Sequence, residues 1–450
     1  MAGRELDVDV VVVGAGLAGA RTARLLHDAG LRVAVLEARE RVGGRTLASA
    51  HRRGHLRSRR PMDRSGSSTA PWLVRELGIQ TFATFTEGTK VLLDRDRRRT
   101  YRGEIPSLSI PQLLRMQLAL MGLERERKRV PAADPTAARG AERLDAMTLE
   151  TLRARYRLDH ATRGAMDAAV RTIFGAEAAD LSALYFLAYL NAGGGLMALA
   201  GTRGGAQEER LVGGVQQLSR RLLDGIEIHL DAPVEEVQVR EGRVVLTTPH
   251  LRARARRAVF ALPPTQLRNV AFDPVLPAGR RQLLDRAFMG SAVKMLALYD
   301  RPFWREAGLS GELVCGDGPL SVVFDNSSHD DRQPALVGFV VGRHARVLST
   351  QDADTARRSV LDALVRAFGP AAGRPSELIL QDWSAEPYVG GCPVALFGPG
   401  AFLPSSGHLR TPLGPLHFAG TETAREHIGY LEGALESAER VFSEVQSAGL

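Results

Sequence analysis

The sequence predicts an α/β fold whose first unit is a Rossmann-like, dinucleotide-binding βαβ. Three observations predict it. Val8-Asp9-Val10-Val11-Val12-Val13 is a short, nearly continuous β-branched run, as in a strand covered on both faces. Gly14-Ala15-Gly16-Leu17-Ala18-Gly19 follows at once. A second apolar run, Leu31-Arg32-Val33-Ala34-Val35-Leu36, then ends at Glu37, a carboxylate about 20 residues past the last glycine.

Each element has its reason. Between the two runs, Leu17, Ala20, Ala23, Leu26 and His27 recur near helical spacing, and Gly30 stops the helix. Gly14 permits the tight turn, Gly16 lets backbone approach a pyrophosphate, and Gly19 lets helix pack on strand. Leu17 and Ala18 open the helix, whose free N–H groups and positive dipole end favour phosphate. Glu37 stands where a carboxylate reaches a ribose hydroxyl.

The remaining composition bounds the rest. At 450 residues the chain has room for two or three domains. With 44% hydrophobic and 24% charged residues it is not a disordered or low-complexity chain. The two cysteines, Cys315 and Cys392, exclude a disulfide scaffold, and without a CxxC pair no metal site is expected. The net charge is +8, nearly all arginine, since only Lys90, Lys128 and Lys294 are lysines. No nucleic-acid-binding signature accompanies that charge, so no nucleic-acid partner is expected. The dense basic block at 51–60 reads as an exposed loop or as a site for an anionic substrate group. The acidic and basic residues within 1–9 do not make a secretory leader. The longest uncharged stretch, 181–202, is interrupted by Asn191 and Gly193-Gly194-Gly195, so a buried helix over about 181–190 and a turn are expected, with no membrane partner and a cytoplasmic location.

The cofactor is specified by resemblance. Glu37-Ala38-Arg39-Glu40-Arg41-Val42-Gly43-Gly44-Arg45-Thr46 resembles the second signature of flavin-dependent amine oxidases, which folds over FAD. Phe418-Ala419-Gly420-Thr421-Glu422-Thr423, followed by Gly429-Tyr430-Leu431-Glu432-Gly433-Ala434, resembles the family's C-terminal flavin-holding block. Leu181–Leu187, Gln207–Gly214, Ala258–Pro264 and the Trp383, Tyr388, Gly390-Gly391-Cys392 segment match in order along the chain. The resemblance implies an amine-oxidase-type fold. A discontinuous FAD-binding domain (1–80, 205–285 and 385–450) would carry an α+β substrate-binding domain (81–204 and 286–384). Its flavin contacts would include Val234, Ala261 and Glu422, with Thr421 and Glu422 beside a helix N-terminus at the ribityl–phosphate part. Ile173, Tyr185 and Gln207 would line the substrate cavity.

The implied chemistry moves a hydride equivalent from the amine-bearing carbon to the flavin, giving an imine that water hydrolyses, while O2 is reduced to H2O2. An L-amino-acid oxidase, a dehydrogenase or desaturase, or a flavin-binding protein without turnover are the alternatives. The carboxylate-binding motif of L-amino-acid oxidases is not apparent. Lys294 lies in an otherwise apolar strand, in a chain that otherwise chooses arginine; in the family this lysine assists flavin reoxidation. Tyr430 matches one wall of an aromatic cage that guides the amine. Cys392 matches the cysteine joined covalently to flavin in animal members. Pro393 replaces the tyrosine that follows it there, which weighs against the bond and removes the other cage wall. A bulkier or more polar substrate than a small arylalkyl amine follows, contacted by Gln207 and arginines at 57–60. The 62–68 segment departs from the family's flavin-contact pattern. The expected partners are a small-molecule amine and O2; a homodimer stays open.

Overall fold

In the computed structural model, which describes residues 4–47, 69–94, 97–103, 109–131, 134–200 and 208–449, the first strand is Arg4–Val13. It pairs in parallel with Val33–Leu36 on one side and with Leu251–Phe260 on the other. Glu227–His229 extends the sheet beyond Val33–Leu36, and Leu416–Phe418 pairs with the end of Leu251–Phe260. The antiparallel strands Glu236–Arg240 and Arg243–Thr247, then Ala271–Asp273, complete eight.

The reason for the continuous valine run is visible in the packing. Val10 and Val12 point into a core shared with the helices Leu17–Asp28 and Leu431–Ser447, through Leu26 and Leu435. Val11 and Val13 point the other way, into a core with Phe260 and Phe418. Both faces are covered, so neither can be polar. The strand starts four residues earlier than the valine run, because Leu251–Phe260 is long enough to pair with Arg4–Asp7. The helix Leu17–Asp28 buries Leu17, Ala20, Ala23 and Leu26 as expected, but His27 is exposed: it falls on the solvent side of the last turn.

A second sheet of seven strands has the order Glu377–Asp382, Ala292–Leu298, Ala335–Val341, Val322–Asp325, Leu309–Cys315, Thr89–Asp94, Arg97–Tyr101. Helix Ala353–Phe368 packs on it through Val360 and Leu364. The uncharged stretch forms the helix Ala183–Ala192, buried at every position but Asn191. No helix among the described residues is long and apolar enough to cross a membrane.

Candidate active site

The βαβ turn is built by close approach. Gly14 has φ +100°, and a Cβ on Gly19 would stand 1.9 Å from Gly14 O, so the helix packs where only glycine fits. Gly16 caps helix Leu17–Asp28 with no side chain accepting from its first N–H groups. Helix Leu431–Ser447 likewise starts at Tyr430 with no side-chain cap. Two helix N-termini with free donors thus border one cavity of about 440 Å³, through Leu17, Ala18, Leu431 and Ala434. That is what a pyrophosphate needs.

The second signature folds over the first. Gly43 N–H donates to Ala15 O at 2.8 Å, and a Cβ on Gly44 would stand 3.3 Å from Gly16 Cα. Glu37 is buried, and its Oε2 accepts from Ala15 N–H at 2.7 Å while Oε1 accepts from Arg39 N–H at 3.1 Å. Burial raises its carboxyl pKa overall, against the lowering by those N–H donors and by Arg39 and Arg41. Ala38, Arg39, Gly43 and Val234 line the same end of the cavity.

The second sheet supplies the far wall. Lys294 lies in Ala292–Leu298, which is flanked by a strand on each side, with Phe339 and Gln381 as its cross-strand neighbours. Alternation puts Lys294 and Leu296 on one face with Phe339, Ile379 and Gln381, and all five border the cavity. Gln381 Nε2 donates to Glu386 Oε1 at 2.5 Å, and Glu386 Oε2 pairs with Arg39 Nη1 at 3.1 Å. A continuous polar chain therefore joins the Glu37 end to the strand beside Lys294.

The third wall is the 388–393 loop. Tyr388 adopts φ +62°, and Gly391 φ +146°. Beneath Cys392 three segments cross: a Cβ on Gly391 would meet Gly290 O at 2.4 Å, one on Gly290 would meet Phe174 O at 2.2 Å, and one on Gly175 would meet Cys392 O at 2.6 Å. Trp383, Tyr388, Cys392 and Pro393 face the cavity here. Ala261, Gly420, Thr421, Gly429 and Tyr430 close it from the C-terminal side. Thr421 Oγ1 donates to Tyr430 O at 2.9 Å, fixing that corner.

Four expected site residues lie elsewhere. Gly19 packs helix on strand, behind the turn. Glu422 does not border this cavity: its carboxylate accepts from Arg45, which also donates to Pro393 O at 2.6 Å, so it steadies Arg45 and the loop from behind. Arg45 itself borders the cavity with its charge already matched. Ile173 sits in the core at 2% exposure. Tyr185 is turned away from the cavity, its hydroxyl donating to Ala395 O at 2.9 Å and its pKa pushed far up by burial. Gln207, the basic block at 51–60 and the 62–68 segment lie outside the described residues. The sequence reading missed Leu296, Phe339, Ile379 and Gln381; the period-two alternation around Lys294 is the signal that finds them.

The sequence model of flavin containing amine oxidoreductases matches residues 15–445. The chain belongs to that family. It is 36% identical over 446 residues to AofH of Mycobacterium tuberculosis, named as a flavin-containing monoamine oxidase, covering 97% of this chain and 96% of that one. It is 32% identical over 453 residues to flavin-containing amine oxidase B of Bos taurus, covering 98% of this chain and 86% of that protein. Among solved structures, wild-type putrescine oxidase bound to putrescine superposes with TM-score 0.92 at 28% identity, covering 98% of this chain and all of the other. Cyclohexylamine oxidase from Brevibacterium oxydans superposes with TM-score 0.92 at 30% identity, covering 98% and 99%. The protein is thus an FAD-dependent amine oxidase, with a small-molecule amine and O2 as its substrates. The residues fit FAD: two helix N-termini with no side-chain cap, a left-handed glycine at 44 set close against Gly16, and a buried carboxylate at the ribose position. The relatives named are amine oxidases, which leaves the amino-acid oxidase and desaturase alternatives without support.

Proposed function

We propose that the 440 Å³ cavity holds FAD along its Gly14–Glu37 side and the amine between Lys294 and Tyr430. One observation carries this assignment: Glu37, Lys294 and Tyr430, drawn from three distant parts of the chain, line a single cavity. FAD, when bound, accepts the hydride equivalent. The chain's own residues do the rest. The N–H groups at Leu17 and Leu431 take the phosphate charge, and Glu37 accepts from a ribose hydroxyl while its backbone bonds fix its orientation. Lys294 donates from its ammonium group toward the reacting end, where oxygen is reduced. The Tyr430 ring holds the amine nitrogen against its π face, and Leu296, Phe339 and Ile379 give the amine's carbon body an apolar wall and exclude water. Orienting the C–H bond in this way is the protein's main contribution to rate.

The domain division at 1–80, 205–285 and 385–450 against 81–204 and 286–384, supported by the two sheets, belongs to the same proposal, as does a cytoplasmic location, where Cys315 and Cys392, not joined in a disulfide, would stay reduced. The test is peroxide release by the FAD-loaded protein across amines with apolar bodies, diamines and L-amino acids. Turnover of apolar amines well above the other two classes is expected. Preference for amino acids would overturn the assignment of the apolar wall.

A further inference from the structure

The helix Ile110–Arg127 is apolar on two sides. One side buries Met116, Ala119 and Leu123 against helices His160–Phe174 and Ala183–Ala192. The other presents Ile110, Leu114, Leu118 and Met121 to solvent at 82, 61, 55 and 57% exposure, with Leu113 beside them at 37%. Spacings of four, four and three place these on one stripe, about 17 Å long at 1.5 Å per residue. Among the described residues, the other exposed large apolar ones, Trp72, Leu230, Val275, Val347 and Tyr388, stand on separate elements, as is ordinary. A contiguous stripe is not ordinary and marks a contact surface.

Charge says what kind of contact. The exposed charged residues described within 109–131 are Arg115, Arg125, Lys128 and Arg129. The two acids of this segment are both paired with bases: Glu124, its side chain 40% exposed, with Arg127 and Lys128, and the more covered Glu126 with Arg129 and Arg155. The face is therefore apolar with a rim of net positive charge, Arg115, Arg125, Arg127, Lys128 and Arg129 outnumbering Glu124 and Glu126. A second copy of the chain would set two such rims against each other, whereas an anionic surface complements both features at once.

We propose that this helix docks the protein on an anionic lipid bilayer, lying in the headgroup plane. Ile110, Leu114, Leu118 and Met121 enter the acyl boundary, and Arg115, Arg125, Lys128 and Arg129 meet lipid phosphates. This replaces the sequence expectation of no membrane partner, which rested on the lack of a spanning segment. The docking is independent of the amine chemistry, so its failure leaves that reading untouched.

The experiment is co-sedimentation of the FAD-loaded protein with two kinds of vesicle: phosphatidylcholine alone, and phosphatidylcholine with phosphatidylglycerol. Binding to the anionic vesicles at least about 10-fold tighter, weakened by salt, is expected. The triple variant Leu114→Gln, Leu118→Gln, Met121→Gln changes only exposed side chains. It should keep its peroxide formation with a soluble amine and lose vesicle binding by about 10-fold or more. The double variant Arg115→Gln, Arg125→Gln should lose binding to anionic vesicles only. Wild-type protein that stays in the supernatant with both vesicles overturns the proposal, as does a triple variant that binds like the wild type. Light scattering that finds a dimer in the wild type and a monomer in the triple variant, without vesicle binding, would assign the stripe to a second copy instead.

Discussion

Arg45 and Glu422, 377 positions apart, meet as a forked ion pair, with Nη1 2.8 Å from Oε1 and Nη2 3.2 Å from Oε2. Glu422 is 5% exposed, and Ala395 N–H also faces its Oε1 at 3.4 Å. The pair ties the segment over the dinucleotide turn to the C-terminal block and, through Pro393 O, to the loop carrying Cys392. It makes the dinucleotide-turn side of the cavity, the Cys392 loop and the C-terminal block one structure.

Removing Glu422 strands a buried guanidinium. Glu422→Ala is expected to destabilise the fold by about 3 kcal/mol, the low end for a broken buried pair because a fifth of the Arg45 side chain stays exposed. Glu422→Gln keeps an acceptor and should lose less. Thermal melting of both variants, with FAD content measured alongside, checks the order.

Glu37 is expected to act twice. Its carboxylate orders the Gly14–Gly19 turn through Ala15 N–H and its own strand end through Arg39 N–H, besides facing the ribose. Glu37→Gln keeps one carbonyl acceptor, whereas Glu37→Ala removes both. The expected loss in FAD affinity is roughly 1.5–3 kcal/mol for alanine and clearly less for glutamine, following the worth of hydrogen bonds to a charged group. Equilibrium flavin binding by fluorescence measures both; equal losses would show that only the ribose contact counts.

These cases show what the sequence could disclose. The βαβ start is local, so its valine run, glycines and Glu37 are legible within forty residues. The same holds for the apolar faces of helices Leu17–Asp28 and Leu431–Ser447. Glu422 was read as a flavin contact because the motif places it beside a helix N-terminus. Its partner is fixed only by folding, and no local pattern announces Arg45. Ile173 and Tyr185 lie off the flavin-side cavity for a related reason: which face of an apolar helix meets a given cavity is not written in the sequence, and Tyr185 borders a second cavity with Phe397 and Phe402. The glycine crossing under Cys392 joins residues 175, 290 and 391, each of which alone reads as a turn.

Lys294 separates the two half-reactions. Its strand lies inside the sheet and its side chain borders the cavity rather than bulk solvent. Lys294→Met removes the ammonium and keeps most of the apolar stem. The expected outcome is oxygen reoxidation of the reduced flavin slowed at least about 10-fold, a barrier increase near 1.4 kcal/mol, with reduction by substrate changed much less. Stopped-flow measurement of each half-reaction decides, and an unchanged oxidative rate removes Lys294 from the proposal.

The last prediction concerns acid stability through His344, in the helix Arg343–Leu348 that follows the strand of Phe339. Burial lowers its pKa to about 4, aided by the positive charges of Arg171 and Arg343 and opposed weakly by Asp317. In the unfolded chain the ring titrates near 6.5. Between those values the unfolded state takes up the proton and the folded state does not, so stability is full above pH 6.5 and falls as pH drops toward 4. Discounted for the partial exposure of the ring, the loss is on the order of 1–3 kcal/mol. His344→Gln has no proton to take up. Its melting temperature should therefore fall less than that of the wild type between pH 7.5 and pH 5, with the two profiles converging in slope above neutrality. Parallel profiles across the whole range would show that other groups carry the acid dependence.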